Sequence, residues 1–275
     1  MMINATALKD YRLACTDGQI GKVKEFYFDD RYWAVRYLIV DTGNWLTGRE
    51  VLISPLAVKA VHHNERTISV ALSKQQIADS PGLDAHKPVS RQFEQEYYRY
   101  YGWPAYWTGS YMWGASPYVW GPGPYLGTPL DFGKGDKSTQ TLRDENSWDP
   151  HLRSTDAVSG RHIEATDGGI GHVEDFIIDD HTWAIRYLVI DTRNWWPGKK
   201  VLLAPHWIAD LNWGESKVFV NLSRAKIRQA PEYAQTALVT RDYETSLHRH
   251  YDRKGYWMDE PVRKSVADTT FAPTT

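Results

Sequence analysis

The sequence has little cysteine and no long apolar run. Its only cysteine is Cys15, which cannot form a disulfide within the chain. That usage suits a reducing compartment, so we expect a cytoplasmic protein. Met1 to Asp10 lack the basic and apolar parts of a signal peptide, and no segment reaches the roughly 20 apolar residues of a membrane-spanning helix. The sequence therefore predicts neither classical export nor membrane insertion.

Neither sign of charge is in excess. The chain has 32 Lys and Arg against 34 Asp and Glu, a formal net charge of −2, and the charges are balanced within each half. Binding to nucleic acid through its phosphates needs a basic surface, so we do not favour a nucleic-acid partner.

Motifs that carry chemistry are also lacking. We find no phosphate-binding glycine loop, nucleophile elbow or metalloprotease motif. The sequence therefore predicts a protein that is not an enzyme, with no catalytic residue, cofactor or metal site assigned.

What the sequence does contain is an internal duplication. The segment Asp17–Pro55 aligns without gaps to Asp167–Pro205, and 21 of these 39 positions are identical. The same offset continues to the Tyr-Trp pairs at 106–107 and 256–257. Because a repeat decides the architecture, we divide the chain at its limits. We predict a first repeat at 1–107, an aromatic Gly/Pro-rich linker at 108–152, a second repeat at 153–257 and a disordered tail at 258–275.

Each copy has the pattern of a small β fold. Asp-Gly and Asp-Asp turns separate short runs of branched and aromatic residues. Such turn-punctuated strands predict a closed or nearly closed barrel, which gives a mainly β fold with two tandem barrels. The strands predicted in the first copy are Val23–Phe28, Trp33–Val40, Glu50–Ile53, Ala57–Val61 and Ile68–Leu72, with equivalents in the second. Short helices should follow each barrel, the longer ones capped by Ser90 and Thr240 and burying Phe93, Tyr97 and Tyr100 in the first copy.

The pattern DGxIGxVxxFxxDDxxWAxRYLxxDTxNW…VLxxP, present in both copies, resembles the PRC-barrel family. That family includes the cytoplasmic domain of the photosynthetic reaction centre H subunit and the C-terminal domain of a ribosome maturation factor. The resemblance implies a small β-barrel used for protein contacts, without a shared enzymatic activity. The chain lacks the membrane helix of the first relative and the additional domain of the second, so the resemblance implies the fold rather than a biological role.

Acidic residues follow or flank the predicted strands in both copies. They are Glu25, Asp29, Asp30 and Asp41, with Asp175, Asp179, Asp180 and Asp191. A carboxylate cluster could bind metal or handle protons, and this is one alternative function. The simpler interpretation is turn chemistry, because Asp accepts hydrogen bonds from nearby backbone. An RNA- or ribosome-associated factor is a second alternative, suggested only by the ribosome-related relative.

The histidines and the cysteine do not form a recurring set. His62, His63, His248 and His250 have no counterpart in the other copy, so we interpret them as surface residues. Cys15 aligns with Ala165 and is interpreted as a small buried hydrophobe.

Aromatic residues outside the strands are the candidate interaction residues. Trp45 and Trp195 lie in equivalent loops, where each could plug a barrel end or anchor a partner. The linker is dense in aromatics, unlike a polar flexible linker, and either wraps over the barrels or forms an adhesive surface. Its candidate residues are Tyr111, Trp113, Tyr118 and Trp120. Trp33 and Trp183 are predicted on strands in the core. The sequence thus predicts a protein-interaction or scaffolding module with a protein partner of unknown identity, and a homodimer is possible.

Overall fold

In the part of the chain that the structure describes, the fold is mainly β, with two sheets of seven strands each and short helices. The computed structural model describes residues 1–82, 89–114, 116, 149, 151–192, 199–212, 217–235 and 238–258. The predicted 258–275 tail lies outside the described residues from position 259 onward, as does most of the 108–152 linker.

The elements recur in the same order in the two repeats. The first has β1 (Met2–Asn4), α1 (Ala5–Leu8), β2 (Arg12–Cys15), β3 (Gly18–Asp29), β4 (Ala34–Asp41), β5 (Glu50–Ile53), β6 (Val58–His62), β7 (Thr67–Val70), α2 (Lys74–Ala78) and α3 (Arg91–Tyr101). The second has β8 (Leu152–Ser154), α4 (Thr155–Val158), β9 (His162–Ala165), β10 (Gly168–Asp179), β11 (Ile185–Asp191), β12 (Lys200–Leu203), β13 (Ile208–Asn212), β14 (Lys217–Val220), α5 (Arg224–Arg228) and α6 (Arg241–His250). Single 3₁₀ turns precede β6 and β13 and follow α6.

The two sheets have the same topology. The strand order is β5-β4-β3-β2-β7-β6 in one sheet and β12-β11-β10-β9-β14-β13 in the other. Neighbouring strands are antiparallel except β2 with β7 and β14 with β9. In the described part of the chain no hydrogen-bonded pair joins the two end strands of either sheet, so each is a barrel-like sheet and not a closed barrel.

A glycine lets the long central strand pass close to its neighbour. Gly21 has φ of +154°, and a Cβ at this position would lie 2.0 Å from the Asp41 carbonyl oxygen. Gly171 repeats this geometry, with its Cβ position 2.0 Å from the Asp191 carbonyl oxygen. Only glycine fits so close an approach of two backbones, which accounts for the Ile-Gly dipeptide that both copies share.

Each repeat contributes one strand to the sheet of the other repeat. Strand β1 pairs antiparallel with β10, and Ile3 lies opposite Ile178. Reciprocally, β8 pairs antiparallel with β3, and Arg153 lies opposite Phe28. The seventh strand of each sheet therefore comes from the other copy, and the two repeats form one unit through this strand exchange.

Carboxylates beside the exchanged strands hold them in place. Asp175 accepts hydrogen bonds from Asn4 Nδ2 at 2.9 Å and from the Thr6 amide at 3.2 Å. At the equivalent position of the first copy, Glu25 accepts one from the Ser154 hydroxyl. These acids thus connect the two repeats, a role that the sequence analysis did not predict.

The paired aspartates at the end of β3 have two different roles. Asp29 Oδ1 accepts from the Arg31 amide at 2.7 Å, which confirms the predicted turn chemistry. Asp30, in contrast, contacts the other repeat, through His151 Nδ1 at 2.8 Å and Arg153 Nε at 3.0 Å. The acidic turn is therefore both a local turn and an anchor for strand β8.

Candidate binding site

The two repeats meet at a short antiparallel bridge between equivalent residues. Ala34 pairs with Ala184. The Val35 amide donates to the Trp183 carbonyl at 2.8 Å, and the Ile185 amide donates to the Trp33 carbonyl at 2.6 Å. This reciprocity, together with the strand exchange, relates the two copies by an approximate two-fold axis.

The two tryptophans at this bridge have unusual backbone conformations. Trp33 has φ of 51° and Trp183 has φ of 59°, a left-handed conformation that is rare for a bulky side chain. Both side chains are buried, as predicted, but both residues lie in the turn before β4 or β11 and not on the strand. The left-handed turn aims each tryptophan carbonyl at the other repeat, where it accepts the bridging hydrogen bond.

On the side of the first repeat, the space next to the bridge is filled by the linker. Trp113 is only 5% exposed, and its indole N–H donates to the Thr182 carbonyl at 3.1 Å. Its ring lies against the guanidinium of Arg36, 4.8 Å from the ring centroid. Arg36 Nη1 also donates to the Met112 carbonyl at 2.7 Å. These contacts fix the linker segment onto both repeats at once.

On the side of the second repeat, the corresponding space is a cavity. Its volume is about 360 Å³. Among the residues that line it are Tyr32, Trp33, Ile185, Arg186, Ile208 and Tyr256. We call this cavity the junction pocket.

The junction pocket and the Trp113 site have equivalent walls. At the 150-residue offset, the equivalents of Thr182, Arg36 and Tyr106 are Tyr32, Arg186 and Tyr256 respectively. The arginine stacks on the tyrosine in both places, at 3.9 Å between Arg36 Cζ and the Tyr106 centroid in one and at 4.0 Å for the Arg186 pair in the other. The two sites thus share these three positions, and among the described residues Trp113 fills one site whereas the other is a cavity that the linker residue Met112 also lines.

A buried glutamate supports the tyrosine of each site. Glu94 is 0% exposed and accepts from Tyr37 at 2.8 Å and from Tyr106 at 2.7 Å. Its other oxygen pairs with Arg91 at 2.9 Å. Burial, with a contribution from the nearby Asp149 charge, raises the pKa of Glu94 to about 7, although Arg91 opposes this shift.

The second copy repeats this arrangement. Glu244 accepts from Tyr187 and Tyr256, each at 2.9 Å, and pairs with Arg241 at 2.9 Å. The sequence analysis missed both glutamates, because charged residues on a helix are usually exposed. A signal was nevertheless present: the Arg-x-x-Glu pair and the Tyr-Trp pair recur at the 150-residue offset outside the strands.

The helices that carry these glutamates begin where predicted. The Ser90 hydroxyl accepts from the Phe93 amide at 3.1 Å, and the Thr240 hydroxyl caps α6 in the same way. The predicted buried face of α3 was wrong in part. Tyr97 is buried, but Tyr100 is 43% exposed, because the helix turns Glu94 towards Tyr37 and Tyr106 instead.

The predicted interaction residues are spread over the molecule. Trp45 is half-buried, with the Lys74 ammonium 5.7 Å from its ring centroid. Tyr111 is 53% exposed, whereas Trp113 is buried between the repeats. The segment around Trp113 therefore wraps over the barrels, which is one of the two predicted alternatives for the linker. Trp195, Tyr118 and Trp120 lie outside the described residues.

The surface interpretation of the histidines was wrong for His248. This side chain is 2% exposed, contacts the Tyr187 hydroxyl at 3.0 Å and contacts the Lys254 carbonyl at 2.8 Å. Burial lowers its pKa, so the ring is neutral at pH 7. His62 is exposed as predicted. In the described ranges no group of three or more His, Cys, Asp or Glu residues is placed to hold a metal ion.

Cys15 is half-buried at the end of β2. Burial, reinforced by the nearby Asp17 carboxylate, raises the pKa of its thiol to about 12. A thiol that stays protonated is a poor nucleophile. The predicted small buried hydrophobe is therefore correct in its packing against the core but wrong in its burial, which is only partial.

Comparison with known proteins supports the barrel assignment for the first repeat. Residues 13–77 match the family model of the PRC-barrel domain. No curated protein matches the chain at a significant level. Of the helices that the structure describes, none is long and apolar enough to cross a membrane.

Proposed function

We propose that this chain is a non-enzymatic protein-interaction module, in which two PRC-type repeats form one scaffold and the junction pocket receives a partner protein. One observation carries the proposal. Of two equivalent sites at the repeat junction, one is filled by Trp113 and the other is a cavity of about 360 Å³. A cavity of this size lies within the range of ligand sites, roughly 300–1,000 Å³.

Two further features support an interaction role over a chemical one. The PRC-barrel match at residues 13–77 is to a module of the protein-contact type. Two of the acidic residues that would serve a proton- or metal-handling function, Asp30 in the turn and Asp175 in β10, are engaged in holding the exchanged strands. The balanced charge of −2 does not favour an RNA partner. The single cysteine suits a reducing compartment, and we propose a cytoplasmic location for the module.

The test blocks the pocket without altering the rest of the surface. Ile208→Trp introduces a large side chain at a lining residue, whereas Ala209→Trp adds the same side chain at the exposed neighbouring position. Affinity capture from the native cell should recover a partner with the wild-type chain and with Ala209→Trp, but not with Ile208→Trp. Equal recovery by all three chains would exclude the pocket as the binding surface.

Self-association is examined on the same variants. Sedimentation of the purified wild-type chain over a range of concentrations reports whether a second copy is the occupant. A dimer that Ile208→Trp abolishes and Ala209→Trp preserves would replace the partner protein by a second copy of this chain.

A further inference from the structure

We propose that the junction pocket recognises a tryptophan side chain, presented on an irregular segment of a partner protein. This inference rests on the proposed function and deepens it by naming the chemistry of the occupant. The argument starts from the Trp113 site, because that site is the same structural element with its occupant in place.

Three features of the Trp113 site define what it binds. The Thr182 carbonyl accepts the indole N–H at 3.1 Å, which requires a donor on the ring edge. The Arg36 guanidinium lies 4.8 Å from the ring centroid, and this cation favours an electron-rich aromatic face. The same guanidinium donates to the Met112 carbonyl at 2.7 Å, so it also binds the backbone of the segment that presents the ring.

The presenting segment is a tight turn and not a helix or strand. The Trp113 amide donates to the Ser116 carbonyl at 2.9 Å, and the Tyr111 amide donates to the Gly114 carbonyl at 3.0 Å. Gly114 has φ of +72°, and a Cβ there would lie 2.8 Å from the Ala105 carbonyl oxygen. The site therefore accepts a ring that projects from a compact turn ending in glycine.

The junction pocket is lined by residues that are equivalent in sequence to those of the Trp113 site. The Tyr32 backbone carbonyl corresponds to that of Thr182, and the Arg186 guanidinium corresponds to that of Arg36. Arg186 is held against Tyr256 at 4.0 Å, as Arg36 is held against Tyr106, so the cationic wall of the pocket is already oriented. An indole in the junction pocket would thus lie beside the stacked Arg186 and Tyr256 side chains, and the sequence equivalence assigns the Tyr32 carbonyl as the acceptor of its N–H.

The chain does not supply the matching residue from the second repeat. Trp113 lies seven positions after Tyr106, and the position seven after Tyr256 is Arg263. The duplication has therefore kept the walls of the site but not the tryptophan. For this reason we assign the occupant to another protein and treat Phe271, which follows Tyr256 in the chain, as the alternative in the test.

The experiment measures binding of a synthetic peptide with the sequence of residues 109–116, GSYMWGAS, to the full chain. The linker acts on its own site at an effective concentration of about millimolar, so the site is filled even when the contact itself is weak. We therefore expect the free peptide to bind weakly, and chemical-shift titration is suitable because it detects weak binding. We expect saturable one-to-one binding at peptide concentrations up to about 5 mM, with shifts at the junction pocket. The peptide with alanine in place of tryptophan should not bind.

Variants of the protein locate the binding. Ile208→Trp should lose it and Ala209→Trp should keep it. Trp113→Ala empties the first site, so this variant should bind two peptides where the wild-type chain binds one. Absence of binding to the wild-type chain up to that concentration would overturn the proposal, whatever the variants show.

Two results would point to other occupants. The only aromatic residue after Met258 is Phe271. If Phe271→Ala binds the peptide at least ten times more tightly than the wild-type chain does, the tail of the chain is the occupant and the proposal fails. If a partner is captured through the pocket but the tryptophan peptide does not bind, the proposed function stands and the inference of a tryptophan ligand is wrong.

Discussion

The reciprocal carboxylates of the strand exchange give a matched pair of substitutions with different expected costs. Asp175 is 1% exposed and accepts hydrogen bonds from Asn4 Nδ2 and from both the amide and the hydroxyl of Thr6. A hydrogen bond to a charged group contributes about 1.5–3 kcal/mol, and donors that regain water bring the total below the simple sum. We therefore expect Asp175→Ala to lower the free energy of unfolding by about 3–5 kcal/mol.

Glu25, at the equivalent position, provides the control. It is half-buried and accepts one hydrogen bond, from the Ser154 hydroxyl. Glu25→Ala should therefore cost only about 1.5 kcal/mol, the lower end of this range, because the carboxylate is half-exposed. Urea unfolding of the two variants at pH 7 measures the difference directly. Amide hydrogen exchange gives a second readout, since Asp175→Ala should selectively lower the protection of Ile3 in strand β1.

Two outcomes would refute this reasoning. Equal destabilisation by the two substitutions would mean that the additional bonds of Asp175 do not stabilise the exchange. Loss of less than about 1 kcal/mol in Asp175→Ala, with Ile3 still protected, would mean that β1 is held by its backbone pairing alone.

Three further predictions concern single side chains. Because the pKa of Glu94 is raised from 4.5 to about 7, its protonated form stabilises the fold fully below pH 4.5, and this contribution is lost as the pH rises through about 7. Glu94→Gln should remove this contribution. Between pH 4 and 8 the free energy of unfolding of the wild-type chain, measured in urea, should therefore fall by about 2–4 kcal/mol relative to that of the variant. Parallel pH profiles of the two chains would contradict this. Trp45 is half-buried beside Lys74, so Trp45→Ala should lower the unfolding free energy by about 1 kcal/mol in the same assay, and not by the roughly 3–5 of an emptied core aromatic site. Cys15, with a thiol pKa of about 12, should react with iodoacetamide at least tenfold faster in urea than in the native chain at pH 8; equal rates would show that the thiol is not protected by the fold.

The sequence predicted what depends on local pattern. The alternation of branched residues and Asp-Gly turns located most of the strands, and the duplication implied that the two sheets share one strand order, as observed. Helix starts at Ser90 and Thr240 were also predictable, because a cap is a contact between residues three positions apart.

The strand exchange was not predictable, because it depends on contacts between distant parts of the chain. Nothing in the short segment Met2–Asn4 distinguishes pairing within its own repeat from pairing with β10. The candidate site was predicted only in part for the same reason. The segment around Trp113 stood out by its aromatic composition. Its hydrogen-bond partner, however, is the backbone carbonyl of Thr182, and because every residue has such a carbonyl, the sequence does not identify the partner. Glu94 was missed because its burial is made possible by two tyrosines and an arginine that meet only in the folded chain.

The exchange of β1 and β8 makes the integrity of the unit independent of dilution. Each sheet is completed by a strand from the other repeat. Were the two repeats separate molecules, mass action would govern whether those strands were in place, and the sheets would lose them at low concentration. A covalent connection replaces that bimolecular step by an intramolecular one. Because the two repeats belong to one chain, equivalent positions can also carry different residues. One copy of a site can therefore hold part of the chain itself, while the other copy can bind a different molecule.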